Sequence, residues 1–407
     1  MSTVTKTPPL SFTFNQKKIL GALAGAVGLR MLGLFLILPV FTLYGLEFTH
    51  SRFLVGVAFG VYGMAVACTA IPMGRLSDRL GRRKVLILGM AVFSLGSFLC
   101  AIPGWFPPAL RIVELIVARF IQGMGTITST AFATVADHIP GERRSTGFAL
   151  LGIPIGIAFI VGVMGGPVIA GLFRPDWLFW ITGILGTATV FVLARSLPET
   201  PPRRVPLTPV TRVLKSRPLI LLDFGGFLMN VFMTAFWFFF PLILTERHHL
   251  PLTRYWIVLV PMILTSGVTM FLFSRGADRG WSRSLTATAF ILMLISSLLL
   301  FRPSSAGLSP HHLAAVLVPG SLFLVGFTGL EPILPSLVTR VTHETSYGTA
   351  MGSFQTLQYF GSFTGGAVAG ALAHFSAVWP MAFLMIASIL GFAVMLLVPA
   401  NCQQDHK

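Results

Sequence analysis

Apolar runs of about 20 residues recur from one end of the chain to the other, separated by short polar stretches. A run of that length crosses a hydrocarbon core as one helix, whereas a barrel strand needs about ten residues of alternating polarity. No such alternation is visible. The pattern predicts helices at about 19–44, 54–74, 84–103, 109–135, 146–172 and 177–196, then at about 219–245, 253–274, 284–301, 313–339, 347–373 and 377–398. Residues 197–217, with Pro198, Pro201, Pro202, Arg203 and Arg204, form the long interior polar stretch. They divide the chain into an N-terminal six-helix bundle (19–196) and a C-terminal one (218–398), flanked by segments 1–18 and 399–407. The expected fold class is therefore an all-α membrane protein with twelve transmembrane helices in two pseudo-symmetric six-helix bundles.

Composition agrees. Only 10% of the 407 residues are charged and 54% are hydrophobic, against about 25% charged in soluble proteins. That excludes a soluble enzyme, a disordered chain and a nucleic-acid-binding domain. The formal net charge of +16 follows from where the bases lie. Sorted by loop, 21 Lys and Arg fall on the side of the termini, six on the other side, and Arg30 and Arg119 inside the membrane. Excess Lys and Arg mark cytoplasmic loops, so both termini are expected in the cytoplasm of a multi-pass protein of the cell (inner) membrane. No nucleic acid is needed to explain the charge.

Other chemistry is sparse. Cys68, Cys100 and Cys402 form no CxxC pair or disulfide framework; Cys68 and Cys100 read as small packing residues. His248-His249 and His311-His312 sit in outer loops, where adjacent residues do not share a helix face, so no metal and no cofactor is expected. Glu47 and Glu114 read as solvated outer-face carboxylates. Some of Phe236, Trp237, Phe238, Phe239 and Phe240 are candidates to line an apolar pocket. Residues 1–18 lack the apolar core and cleavage site of a signal peptide.

An internal repeat links the halves. Asp78, Arg79 and Arg83 recur as Asp278, Arg279 and Arg283, and the Gly166–Gly171 region recurs as Gly365–Gly370. Two parallel repeats about an axis along the membrane normal are a transporter architecture.

The run Gly74-Arg75-Leu76-Ser77-Asp78-Arg79-Leu80-Gly81-Arg82-Arg83-Lys84 resembles the G-x-L-x-D-R-x-G-R-[RK] signature of the major facilitator superfamily, between helices 2 and 3. Gly74 would permit close helix contact, Gly81 a tight turn, and Asp78 would accept from a helix N-terminus. Asp137, at the end of helix 4, is the candidate partner for the arginines. Leu115 to Gly125, with Arg119, resembles the family's second signature. Gly162 to Gly171 resembles the helix-5 signature of the drug:proton antiporter branch, except that Ala170 replaces the first Gly of the closing pair. Gly162, Gly166 and Pro167 are expected where helices of the two halves meet and bend. Leu29–Gly33 with Leu38-Pro39, Leu330-Glu331 and Gly348–Gly352 are similar to the YajR-like branch. The resemblance covers about residues 17–398 and implies a chain without that branch's extra soluble C-terminal domain.

Buried charge is costly at mid-bilayer, about 2.5–3.5 kcal/mol per residue on insertion scales. Arg30, Arg119, Asp223 and Glu331 fall on helices 1, 4, 7 and 10, which the resemblance implies line a central cavity. Static ion pairs fixing the packing are the competing reading. Glu331 is the first choice for a carboxylate that takes up and releases a proton, answering to Arg30 or Arg119. With no GxxxxGK[ST] sequence for ATP, the resemblance implies a monomeric secondary transporter that works by alternating access and couples protons to export of small, mostly apolar compounds. Nutrient import or facilitated diffusion on the same fold is the alternative, and a non-transporting receptor or scaffold is the alternative of another class.

Overall fold

The computed structural model describes residues 13–139, 144–199, 216–301, 313–342 and 347–399. Most of the interhelix stretch 197–217, the histidines His311 and His312, Cys402 and both chain ends lie outside them.

Fourteen α-helices build twelve rods among the described residues. The first bundle holds α1 (Phe14–Ile37), α2 (Phe41–Leu46), α3 (Arg52–Leu80), α4 (Arg82–Cys100), α5 (Pro108–Met124), α6 (Thr128–His138), α7 (Arg144–Leu172) and α8 (Asp176–Ser196). The second holds α9 (Arg217–Leu242), α10 (Trp256–Gly276), α11 (Ser282–Leu300), α12 (Ala314–Arg340), α13 (Tyr347–Leu372) and α14 (Val378–Leu397). Two expected helices are broken. The first stops before Pro39, which cannot donate to the preceding turn, and resumes as α2. The fourth breaks at Gly125, where the close approach of α4 leaves no room for a side chain: a Cβ would meet the Phe93 nitrogen at 2.5 Å and the Gly89 oxygen at 2.6 Å. Local chemistry sets other ends. Thr13 and Gln16 cap α1 reciprocally, and the Ser51 side chain caps α3. Gly81 at φ 91° turns α3 into α4 within one residue, and Gly280 at φ 86° makes the equivalent turn between α10 and α11. Both conformations suit a residue without a Cβ.

Packing repeats between the halves. In the first bundle α1 packs on α7 and α8, α4 on α8 and α5, and α3 on α5. In the second, α9 packs on α13 and α14, α11 on α14 and α12, and α10 on α12. Each pair in the second list is the repeat counterpart of one in the first. This is the two-bundle architecture that the repeat predicts.

Helix direction defines a near face, carrying the first residues of α1 and the last of α14, and a far face opposite. Toward the far face the bundles merge into one apolar core, in which Phe41, Val55 and Phe59 join Phe232, Phe236 and Trp237. Toward the near face the first bundle has a core of its own, built on Ile19, Leu23, Val66, Leu86 and Val135. Tyr359 packs on it from the second bundle. The bundles are thus closed on each other at the far face and separated at the near face.

Two seams make the closure. In the first, α3 lies backbone to backbone on α13. A Cβ on Gly56 would strike the Gly366 oxygen, one on Gly60 would meet the Phe363 oxygen at 2.6 Å, and one on Gly63 the Tyr359 oxygen at 2.6 Å. At its far end Arg52 donates to both Glu246 oxygens at 3.0 and 3.1 Å and to the Ala373 carbonyl at 3.1 Å. The second seam, α7 on α10, touches chiefly at the far end, where a Cβ on Gly171 would meet the Thr253 side chain at 2.7 Å. At the near face Gly74 of α3 and Gly352 of α13 have nothing within 4 Å of a Cβ position.

Candidate functional site

The intramembrane charges divide into a pair and two singles. Arg30 on α1 and Arg119 on α5 are both 1% exposed, and they flank one ring. The Arg119 guanidinium lies 4.7 Å and that of Arg30 5.9 Å from the Tyr62 centroid on α3. Arg30 Nη2 donates to the Tyr62 hydroxyl at 2.8 Å. Phe93 lies 5.8 Å from Arg30 and Phe41 4.9 Å from Arg119. Arg119 is held from behind by a chain of donors: its Nη1 donates to Gln122, whose amide donates to the Ser97 hydroxyl at 2.8 Å, which donates to the Phe93 carbonyl at 2.7 Å. A cation over an aromatic face is attracted by the ring quadrupole, but no carboxylate pairs with either arginine among the described residues. The static ion-pair reading therefore does not hold for them in this state.

Asp223 on α9 is 1% exposed and accepts from the Ser353 hydroxyl on α13 at 2.6 Å. It belongs to the packing inside the second bundle. Glu331 on α12 differs. It is exposed although it lies nine residues from the Arg340 end, about 13 Å deep at 1.5 Å per residue. Glu331 lies in the second bundle, opposite the one that carries the arginine pair.

The near-face turn is a second centre. Arg82 bridges Asp78 at 2.6 Å and Asp137 at 3.0 Å, and also donates to Ser77. Arg83 pairs with Glu199 at 3.2 Å and donates to the Ala194 carbonyl near the end of α8. The turn ties α3, α4, α6 and α8 together, all within the first bundle. Asp137 is the expected partner of the arginines. Asp78, expected at a helix N-terminus, pairs with Arg82. Gly74, expected at a close helix contact, meets nothing, and Arg79 is exposed. In the second bundle Arg283 donates to the Leu396 carbonyl at 3.0 Å, repeating the Arg83 cap. Ser282 follows Trp281 where Arg82 follows Gly81, so the acidic bridge has no counterpart there.

Other expectations are corrected. Gly162 and Gly166 do not lie between the halves. A Cβ on Gly162 would meet Phe35 at 2.7 Å, and one on Gly166 would strike the Leu36 oxygen of α1. Pro167 lies inside α7, and Gly171 is the residue that reaches the other bundle. Phe236, Trp237, Phe238, Phe239 and Phe240 are all at most 5% exposed. They are core, because α9 is enclosed by α12, α13, α14 and α2. Cys68 is exposed, whereas Cys100 is buried. Glu114 is half-buried, with one oxygen enclosed and unpartnered.

Sequence reasoning missed Tyr62, Tyr359, Gln122 and Ser353. A signal existed for the first two. The chain has five Tyr against 36 Phe, so a mid-span Tyr marks a place where a hydroxyl is used.

The described residues include nine helices long and apolar enough to cross a membrane on length and composition, one of them a continuous α10–α11 stretch. The broken fourth rod and the Gly-, Ser- and Gln-bearing α13 complete the twelve. Residues 23–366 match the profile of the Major Facilitator Superfamily. The inner membrane transport protein YajR of Escherichia coli (strain K12) is 28% identical over 366 residues, covering 88% of this chain and 78% of that one. The multidrug resistance protein MdtL of Shigella flexneri serotype 5b is 29% identical over 290 residues, 67% of this chain and 68% of that one. A solved bacterial homologue of the human lysosomal transporter Spinster shares the fold, with TM-score 0.77 at 13% identity over 98% of this chain and 100% of that one. The chain belongs to the Major Facilitator Superfamily and is a multi-pass membrane transporter, not an enzyme.

Proposed function

We propose that the protein is a secondary active transporter that exports small, mostly apolar compounds in exchange for protons, by alternating access. The observation that carries the reading is the position of Glu331. It is an exposed carboxylate deep in the membrane, on the bundle opposite a buried arginine pair. A proton held by Glu331 in one state is released when an arginine approaches in the other, since a nearby cation favours the charged form. The near face, with the termini and most of the Lys and Arg, is cytoplasmic. The state described is then open to the cytoplasm, with α3–α13 and α7–α10 as the outer closure. The turn of Asp78, Arg79, Gly81, Arg82, Arg83 and Asp137 shapes the cytoplasmic end of the first bundle, and Gly74 meets its partner when that end closes. The protein works as a monomer, taking its substrate from the cytoplasm and protons from outside. Similarity to the multidrug resistance protein MdtL supports efflux over nutrient import.

The test is flux in proteoliposomes with and without an imposed pH gradient, over a broad compound screen. Efflux of apolar compounds accelerated by the gradient is the expected result. Flux indifferent to the gradient removes proton coupling, and no flux of any compound removes transport.

A further inference from the structure

Arg30 and Arg119 bring two full charges into the first bundle, and neither has a carboxylate partner among the described residues. Both are 1% exposed. Nε and Nη1 of Arg30 and Nε of Arg119 have no hydrogen-bond partner. Their neighbours, Tyr62, Phe93, Phe41 and Gln122, are all neutral. A guanidinium keeps its proton in a protein, so it cannot escape its burial by neutralisation. The carboxylates nearby are otherwise placed. Asp223 is held by Ser353 in the other bundle. Glu114, on the same helix as Arg119, makes no ion pair with it. Glu331 lies on α12 of the other bundle and makes no ion pair with either arginine among the described ion pairs.

A forked, dry donor set with unused N–H groups is suited to a planar oxyanion. Tyr359 of the second bundle packs on the first-bundle core that includes the pair's neighbours Tyr62 and Phe93. We propose that Arg30 and Arg119 form an anion site, and that the preferred substrates are amphipathic organic monoanions carrying a carboxylate or similar oxyanion on an apolar body. This rests on the transport reading and names its substrate class.

The experiment uses three fluorescent probes with one apolar body: dansylglycine (anionic), dansylglycinamide (neutral) and dansylcadaverine (cationic). Binding is read by fluorescence with purified full-length protein in nanodiscs, and flux with the same probes in proteoliposomes. Wild type should bind dansylglycine about tenfold or more tighter than the other two, as expected for a charge-assisted hydrogen bond. Arg30→Gln and Arg119→Lys should abolish that preference. Equal binding of the three probes by wild type, or no binding at all, overturns the anion site and needs no mutant to fold. An anion preference that survives Arg30→Gln and Arg119→Lys also overturns it. Flux of the neutral or cationic probe without anion preference leaves transport standing and removes only this site. Tight anion binding with no flux supports the site and leaves the transport reading to the broad compound screen.

Discussion

The two seams that join the bundles are repeat counterparts, yet they are built differently. On α3 the seam runs through Gly56, Gly60 and Gly63, against Phe363, Gly366 and Gly370 of α13. The positions 200 residues later on α10 are Trp256, Val260 and Ile263, and on α7 the counterparts of Gly366 and Gly370 are Pro167 and Gly171. Without glycines on one side and with proline on the other, backbones cannot approach along the second seam, and contact falls back to Gly171 against Thr253. The first seam is therefore a long, close backbone contact, while the second is a far-face touch that leaves the near end free. Small residues drive close helix association in lipid because there is no hydrophobic force between helices. Closing the far face is consequently the task of α3 and α13.

The largest expected effect comes from filling that seam. In Gly60→Leu the new side chain begins 2.6 Å from the Phe363 oxygen, and overpacking of about 3 kcal/mol should reduce transport about 100-fold. Single-cysteine reporters should become accessible from the far face and protected from the near face. Val260→Leu, at the matching position on α10, should change transport less than about threefold. Equal effects would break the comparison.

Within a bundle the same chemistry serves folding. Gly166→Leu should cost about 1–3 kcal/mol or more, because the Leu36 backbone cannot yield. The measurement is folded yield and thermal unfolding of the purified variant. A folded, stable protein with a blocked cycle would instead return Gly166 to the moving contact.

A smaller difference separates the two near-face turns. Asp137→Asn removes a partner of Arg82 and should shift the conformational equilibrium by about 1 kcal/mol, roughly fivefold in reporter accessibility. Asp278→Asn, in a turn with no recorded ion pair among the described residues, should shift it less than about twofold. Equal shifts would mean that the bridge is dispensable. The smallest effect belongs to Glu246→Gln, which loosens the Arg52 strap. Both side chains are partly exposed, so about 0.2–1 kcal/mol is expected, and the difference from wild type should fade at high salt.

Much of this was legible in the sequence. Runs of 20 apolar residues and the Asp-Arg repeat give twelve rods in two halves, because a bilayer leaves the backbone few options. Arg30, Arg119 and Glu331 stand out because ionisable residues are rare in such runs. Hidden were the features that depend on which face of a helix turns where. Gly162 and Gly166 carry the same spacing as Gly366 and Gly370, yet the first pair meets its own bundle and the second the other. The five aromatics from Phe236 to Phe240 suggest a pocket wall only if that stretch of α9 has an open face, and all five are buried. The pairing of Arg30 with Arg119 around Tyr62 joins residues from three helices, which no local pattern records.

The most direct test of the account concerns Glu331. Purified Glu331→Gln, shown to be folded by its retention of substrate binding, is reconstituted and assayed twice. Substrate exchange with no pH gradient should persist near the wild-type rate, and gradient-driven uphill transport should vanish. Uphill proton-driven transport surviving in that variant would contradict the account and pass the coupling role to Asp223.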